Sequence, residues 1–208
     1  YFRWVTHVRS YGGDFVNPEG TKCVLDDEKA LGAFQNQYDM VYKYKMTPSP
    51  ADVEQGLGNM FQGGSLAMFV GWPIHASMWP DMIKDFRVGS TIMAKGPAGH
   101  GSMLNQHMMS VASAAKHPDA AWEWVKWTCS RKFSIGRALK GKGGPVGMAS
   151  VWHDPGLLAK FPPWREWATI MDEVGPNNTA ANLRGKELED TFNQGISGIM
   201  VGEVGVKE

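Results

Sequence analysis

Apolar side chains recur at intervals of three and four residues in several stretches, which is the spacing of one face of an α-helix. The first stripe consists of Leu31, Phe34, Tyr38 and Val41. A second consists of Trp164, Trp167, Ile170, Met171 and Val174, and the last of Leu188, Phe192, Ile196 and Ile199. Asp26 or Asp27 is predicted to cap the first helix, and Gly202 to end the last. Each of these three helices is expected to bury one face.

Further helices are predicted from their caps and terminators. Residues 1–10 end before Gly12-Gly13, where a left-handed turn costs little. The run Ser49-Pro50-Ala51-Asp52 is similar to a capping box and predicts a helix that extends to Gln62. The helix predicted over 118–129 carries Trp122, Trp124 and Trp127. Because that helix is apolar on most sides, it is expected to be buried.

Short apolar runs between these helices predict β-strands. Four strands are expected, over residues 21–25, 65–70, 87–93 and 106–113. The run 65–70 has the pattern of a buried strand, and Gly71-Trp72-Pro73 then turns the chain sharply into a short helix. A few strands interspersed among more numerous helices predict an α/β fold.

Composition removes several classes of protein. Of the 208 residues, 43% are hydrophobic and 20% are charged, which argues against intrinsic disorder. Lysine plus arginine and aspartate plus glutamate number 21 each, and no basic stripe favours a nucleic-acid partner. The longest nearly apolar run, 66–74, is far shorter than the about 20 residues of a membrane helix. Because the chain opens on Tyr1 rather than Met, it is expected to be a processed product, a fragment or an incompletely built chain.

Motifs of catalysis or cofactor binding are weak. Residues 136–143 fall short of a phosphate-binding loop, because Gly143 replaces the Ser or Thr that holds magnesium and the preceding residues predict a helix. The six histidines lack the spacing of metal ligands, which favours surface or capping roles. Cys23 and Cys129 are predicted to be two buried thiols, with a disulfide as the alternative. No cofactor is predicted.

Trp72 is the leading candidate for a ligand contact. It follows a predicted strand and stands between Gly71 and Pro73, so its ring is held by a turn rather than by a helix face. Open α/β sheets bind ligands at the carboxyl ends of their strands. A core tryptophan that packs the turn is an equally good interpretation of this position.

The run Asn59-Met-Phe-Gln-Gly-Gly-Ser-Leu-Ala-Met-Phe-Val-Gly-Trp72 resembles a hallmark of the family 1 extracellular solute-binding proteins, the carbohydrate-binding receptors of ABC importers. Three further stretches agree with the family in order. They are residues 11–15 with 25–27, residues 111–126, and residues 144–146. The resemblance covers nearly the whole chain, and the order of the four motifs is more specific than any one of them.

The resemblance implies a periplasmic-binding-protein-like fold of type II, in which two α/β lobes hold the solute in a cleft. The chain is expected to supply mostly the C-terminal lobe, with residues 1–92 as its first part and residues 116–208 as its second. Residues 93–115 are expected to be crossover strands that belong to the N-terminal lobe. The main part of that lobe is expected to be absent.

Four residues are assigned to ligand binding by the resemblance. Trp72 is expected to be the aromatic that stacks on a sugar, and Tyr1 stands where relatives have a ligand-contacting tyrosine. Gln106 and His107 replace a Gly-Gly that touches ligand in many members, which would narrow the cleft and alter specificity. Gly147 stands where many members have an arginine, so a guanidinium clamp is not expected there.

The function implied is that of a non-enzymatic receptor that binds a sugar-type solute and delivers it to the transmembrane subunits of an ABC permease. Such a receptor is expected in the periplasm or outside the cell, including as a surface lipoprotein. Two alternatives stay open. One is a glycan-cleaving enzyme, whose paired carboxylates come together only in space. The other is the same receptor class for glycerol phosphate, a polyamine or a metal complex.

Overall fold

A computed structural model of the chain describes residues 2–53, 55–103, 108–140, 146–160, 163–174 and 184–206. Helices dominate these ranges. They are α1 (Phe2–Ser10), α2 (Glu28–Tyr42), α3 (Leu57–Gln62), α4 (Pro73–Met82), α5 (Pro118–Thr128), α6 (Arg131–Leu139), α7 (Ala149–Trp152), α8 (Pro155–Lys160), α9 (Pro163–Val174) and α10 (Gly185–Met200). No helix in these ranges has both the length and the hydropathy needed to cross a membrane.

The chain divides into two compact units. Unit 1 consists of Tyr1–Val70, Met93–Leu104 and Glu173–Glu208, and unit 2 of Gly71–Ile92 and Asn105–Asp172. The chain therefore passes between the units four times. The assignment of residues 1–92, 93–115 and 116–208 to lobes of the family fold stays a prediction.

Local capping decides where several helices begin and end, as the sequence predicts. Of the two candidate caps of α2, Asp27 is the one that acts, because its carboxylate accepts a hydrogen bond of 2.7 Å from the Lys29 backbone N–H. Ser130 caps α6 in the same way by accepting from the Phe133 N–H at 3.2 Å. Gly12 after α1 and Gly202 after α10 have φ values of 84° and 77°, in the left-handed region that ends helices.

The helix predicted from residue 50 to residue 62 is interrupted. Ser49 and Asp52 form the predicted cap, with their side-chain oxygens 2.6 Å apart, but only a 3-10 turn of three residues, Pro50–Asp52, follows. Gly56 then takes a φ of 78°, and the α-helix begins after it at Leu57. A left-handed residue cannot continue a right-handed helix, so α3 is a separate element.

The predicted strands are absent from the described residues, where only two isolated β-bridges occur, Val16 with Cys23 and Gly96 with Gly99. The run 65–70 was expected to be buried, but Met68 and Val70 are exposed. A strand exists only where a neighbouring strand satisfies its backbone groups, and these extended runs have no such ladder. The α/β prediction is thus confirmed for its helices and wrong for its strands over the described ranges.

Unit 1 has one hydrophobic core formed by α1, α2 and α10. Its buried residues are Val5, Val8, Phe15, Ala30, Ala33, Phe34, Phe192 and Ile196. The ring centroid of Phe192 lies 4.8 Å from the ring centroid of Phe15 and 6.0 Å from that of Phe34. Burying each phenylalanine contributes about 1.5–3 kcal/mol, so the stripes predicted for α2 and α10 supply much of the stability of this unit.

Unit 2 has a smaller core in which Ala138, Val151, Leu157 and Trp164 are buried. The indole N–H of Trp164 donates a 3.0 Å hydrogen bond to the Trp152 carbonyl, which satisfies the polar group that this large side chain brings inside. The guanidinium of Arg131 pairs with Asp154 at 2.6 Å and ties α6 to the turn before α8.

The prediction that α5 is buried is wrong. Its three tryptophans, Trp122, Trp124 and Trp127, are 54%, 57% and 47% exposed, and Val125 is its buried residue. Helical periodicity describes which side chains share a face, but burial of that face depends on whether another element covers it. The apolar composition of α5 therefore predicted a burial that the fold does not provide.

Candidate functional site

Trp72 stands immediately before α4, as its N-cap residue. Its backbone is extended, with φ −83° and ψ 152°. Pro73 is the first residue of the helix, and its ring disfavours the α conformation for the residue before it. The short helix predicted after Gly71-Trp72-Pro73 is confirmed, and Pro73 restricts the backbone from which the indole projects.

Both backbone polar groups of Trp72 bond to His75, three residues along the chain. The Trp72 N–H donates to His75 Nδ1 at 3.0 Å. The Trp72 carbonyl accepts from the His75 backbone N–H at 2.9 Å. The first bond is one half of a capping box, in which the third helical residue reaches back to the N-cap amide, here with a histidine in the place of the usual glutamate or glutamine. The second is a backbone turn bond, because the Trp72 indole can only donate. His75 thus has the capping role that the sequence favours for its histidines.

The imidazole of His75 is in turn packed on a second tryptophan. Its ring stacks on Trp79, with centroids 4.5 Å apart and an interplanar angle of 23°. Trp79 is 7% exposed, whereas Trp72 is 40% exposed. The imidazole of His75 therefore connects the two tryptophans of unit 2. It stacks on the buried ring of Trp79 and bonds to the backbone of the half-exposed Trp72.

A half-exposed indole held in this way suits an aromatic platform. Its apolar face offers van der Waals contact to a flat apolar surface, such as the C–H face of a sugar ring, while its N–H can donate to a polar rim. Met78 and Met82, farther along α4, are also exposed and add polarizable apolar surface to the same helix. The alternative interpretation, a core tryptophan, is wrong because this side chain is not buried.

The other predicted ligand residues, Tyr1, Gln106 and His107, lie outside the described residues. Their role in binding stays a prediction. Gly147 lies in a described segment and has open space around it.

Cys23 and Cys129 are free thiols, as predicted, but the prediction that they are buried is wrong, because both are exposed. Cys23 forms the isolated β-bridge with Val16, and Cys129 is the C-cap residue of α5. A lone cysteine at the end of an uncovered helix stays exposed whatever its own hydrophobicity. Across the described ranges, no three His, Cys, Asp or Glu side chains come close enough together to hold a metal ion.

Unit 1 contains an open depression of about 470 Å³. It is lined by Val41, Tyr42, Lys45, Met46, Thr47, Pro48, Ser49, Asp52, Met60, Ser65 and Leu66. The Ser49 hydroxyl and then the Ser49 backbone N–H donate to the Asp52 carboxylate, which lowers the pKa of Asp52 below its ordinary value. Ser49 and Asp52 therefore serve the 3-10 turn, and Trp72, the predicted ligand residue within the described ranges, is not among the residues that line the depression.

Sequence reasoning missed His75 and Trp79 as parts of the Trp72 site. A local signal was available for His75, because Pro73 marks the first residue of a helix and the third helical position is where capping-box side chains reach back. Trp79 carried no such signal. Its burial depends on the rest of unit 2.

A family model for the bacterial extracellular solute-binding proteins matches residues 4–132 of the chain. The chain belongs to this family. The match includes Trp72 and the whole of α4 and α5, and it confirms the family that the sequence motifs indicate. The family description places its members outside the bacterial cytoplasm.

Solved structures of solute-binding proteins resemble the chain in fold. The maltose-bound T. maritima MalE3 has a TM-score of 0.77 and 20% identity over 99% of this chain and 54% of its own. The GacH receptor of Streptomyces glaucescens, solved with acarbose, has a TM-score of 0.80 and 21% identity over 100% of this chain and 53% of its own. A Thermotoga lettingae solute-binding protein bound with tagatose has a TM-score of 0.80 and 16% identity, over 99% and 52%.

The solute-binding chain described here spans about half the length of these structures. At these identities the likeness shows a shared fold. No curated protein matches the sequence.

Proposed function

We propose that the chain acts in a receptor that binds a sugar-type solute and delivers it to the transmembrane subunits of an ABC permease. The observation that carries the proposal is the half-exposed Trp72, fixed before α4 within the family's own motif. We propose that the indole stacks on the apolar face of the sugar, with Tyr1, Gln106 and His107 as further contacts. Binding breaks no bond, so the receptor acts without catalysis.

The similar structures support the sugar class by the ligands with which they were solved. One was solved with maltose, one with acarbose and one with tagatose. A panel of ligands for this chain should therefore contain monosaccharides, disaccharides and an aminosugar oligomer. Glycerol phosphate and a polyamine belong in the panel as the alternative solutes. The glycine at position 147, where many relatives have arginine, argues against phosphate.

Delivery follows from a difference in affinity between two forms of the receptor. A solute that binds a closed form more tightly than an open form shifts the population toward the closed form. The permease then distinguishes loaded from empty receptor by shape. We propose that this takes place in the periplasm or at the cell surface, in keeping with the family.

The test is a calorimetric titration of the purified protein with each solute, alongside the Trp72→Ala variant. Trp124→Ala is the matched control, because Trp124 is also in unit 2 and is 57% exposed. We expect Trp72→Ala to weaken sugar binding at least about tenfold, which corresponds to about 1.4 kcal/mol, and Trp124→Ala to leave the affinity within about twofold.

Three other results would contradict the proposal. If both tryptophan variants bind like the parent protein, Trp72 is not the platform. If glycerol phosphate or a polyamine binds and sugars do not, the solute class changes. Release of reducing sugar from an oligosaccharide during the titration would identify the chain as a glycan-cleaving enzyme instead.

A further inference from the structure

We propose that His75 is a positioning residue that holds the indole of Trp72 ready for the solute. This inference rests on the proposed function of Trp72 and adds a residue that never needs to touch the solute. It begins from the finding that the two backbone polar groups of Trp72 bond to the same residue, at 3.0 Å and 2.9 Å.

The side-chain bond requires one particular form of the imidazole. The Trp72 backbone N–H is a donor, so His75 Nδ1 must accept with its lone pair, and the ring proton of the neutral imidazole lies on Nε2. Few other side chains place an acceptor at this distance from the N-cap amide. Glutamine and glutamate do so in capping boxes, whereas phenylalanine has the ring but lacks the acceptor.

The stack on Trp79 gives the imidazole its fixed orientation. Two nearly parallel rings with centroids 4.5 Å apart restrict both side-chain torsions of His75. Trp79 is buried, so its own ring is held by the interior of unit 2. The buried Trp79 ring therefore fixes the imidazole of His75, and the imidazole in turn fixes the backbone of Trp72, which carries the exposed indole.

A fixed backbone favours binding because it removes part of the ordering cost. Solute binding orders the residue that holds the solute, and a Trp72 whose backbone is already fixed has fewer torsions left to order. Pro73 restricts the Trp72 backbone to extended conformations but does not select one ψ value. The two bonds to His75 supply that selection.

The experiment compares two substitutions that separate the acceptor from the ring. His75→Phe keeps a flat ring against Trp79 and removes the acceptor. His75→Gln restores an acceptor and gives up most of the stack. Affinity for whichever sugar of the panel binds is measured by calorimetry. Hydrogen exchange of the Trp72 amide is measured by nuclear magnetic resonance, with the thermal midpoint as a check that each variant folds.

We expect His75→Phe to raise the dissociation constant of the sugar about three- to tenfold and to speed exchange of the Trp72 amide about tenfold. His75→Gln is expected to stay within about twofold of the parent protein in both measurements. A phenylalanine variant that matches the parent protein in affinity and exchange would overturn the inference. Equal losses in the two variants would also overturn it, since the ring and not the acceptor would then be responsible.

The two proposals fail in distinguishable ways. If Trp72→Ala weakens sugar binding and His75→Phe does not, the stacking role of Trp72 stands and the positioning role of His75 is wrong. If no sugar binds to the parent protein, the proposed function fails. The exchange rate of the Trp72 amide then decides by itself whether His75 fixes that backbone.

Discussion

His100 faces Glu173, with the imidazole Nε2 3.6 Å from a carboxylate oxygen of the glutamate. The other ring nitrogen, Nδ1, lies 2.9 Å from the Met93 carbonyl oxygen and donates to it, because a carbonyl only accepts. Met93 and Glu173 are the residues at which the chain returns to unit 1 from unit 2. The imidazole of His100 thus contacts both residues at which the chain re-enters unit 1.

Replacing His100 with Phe should lower the free energy of unfolding by about 1–3 kcal/mol, because the Met93 carbonyl loses its partner in a partly buried place. Denaturation by urea measures the change. His153 provides a matched control, since it pairs with Asp172 at 3.2 Å but is 57% exposed, against 7% for His100. His153→Phe should change the stability by less than about 0.5 kcal/mol. An effect of His100→Phe as small as the one expected for His153→Phe would show that the His100 contacts add no stability.

Gly101 is expected to tolerate no side chain, because its backbone lies directly against α1. A Cβ at this position would come within 1.9 Å of the Thr6 carbonyl oxygen and 2.6 Å of the Ser10 nitrogen. Gly101→Ala should therefore destabilise unit 1 by about 3 kcal/mol or more, since backbone and not a flexible side chain must move.

The opposite result is expected for Gly195→Ala in the same unit. Gly195 lies inside α10 and has open space around its Cα, so alanine should stabilise the helix by about 0.5–1 kcal/mol. Thermal unfolding of both variants measures the contrast. A mild effect of Gly101→Ala would mean that α1 and residues 96–101 separate easily.

The stability of unit 1 should decrease on acidification because of His7. Burial lowers the pKa of His7, and the hydrogen bond of its ring to the Ala33 carbonyl opposes this only partly. The unfolded chain then binds a proton more readily than the folded one. The contribution of His7 is complete above the unfolded value of about 6.5 and is lost as the pH falls through the lowered folded pKa.

The measurement is the thermal midpoint between neutral pH and pH of about 5, for the parent protein and for His7→Gln. Glutamine keeps a donor for Ala33 but does not titrate. We expect a smaller decrease of the midpoint in the variant. An unchanged decrease would assign the acid sensitivity of the protein to other groups.

On α5, a small buried side chain should matter more than a large exposed one. Val125 is buried and Trp122 is exposed. Val125→Ala is expected to cost about 1–2 kcal/mol through lost burial and the space left behind. Trp122→Ala should cost less than about 1 kcal/mol, although it removes many more atoms. Urea denaturation ranks the two, and a larger loss for Trp122 would show that its indole is covered in solution.

The family and the helices could be predicted because both depend on short stretches of chain. Asp27 and Ser130 act as caps through residues two or three positions away, and the stripe on α10 is set by helical geometry alone. The motif that ends at Trp72 is contiguous. For the same reason the capping role of His75 was within reach of the sequence, since Pro73 and Trp72 are its near neighbours.

Only the tertiary structure decided which of these surfaces are covered. The three tryptophans of α5 have the pattern of a buried helix, yet burial requires a partner from elsewhere in the chain. The run 65–70 has the pattern of a strand, yet a strand requires a neighbour to bond its backbone. His100 meets Glu173 across 73 positions of sequence. The sequence determined hydrogen bonds and faces within a few residues, whereas burial and pairing depend on which distant segments the folded chain brings together.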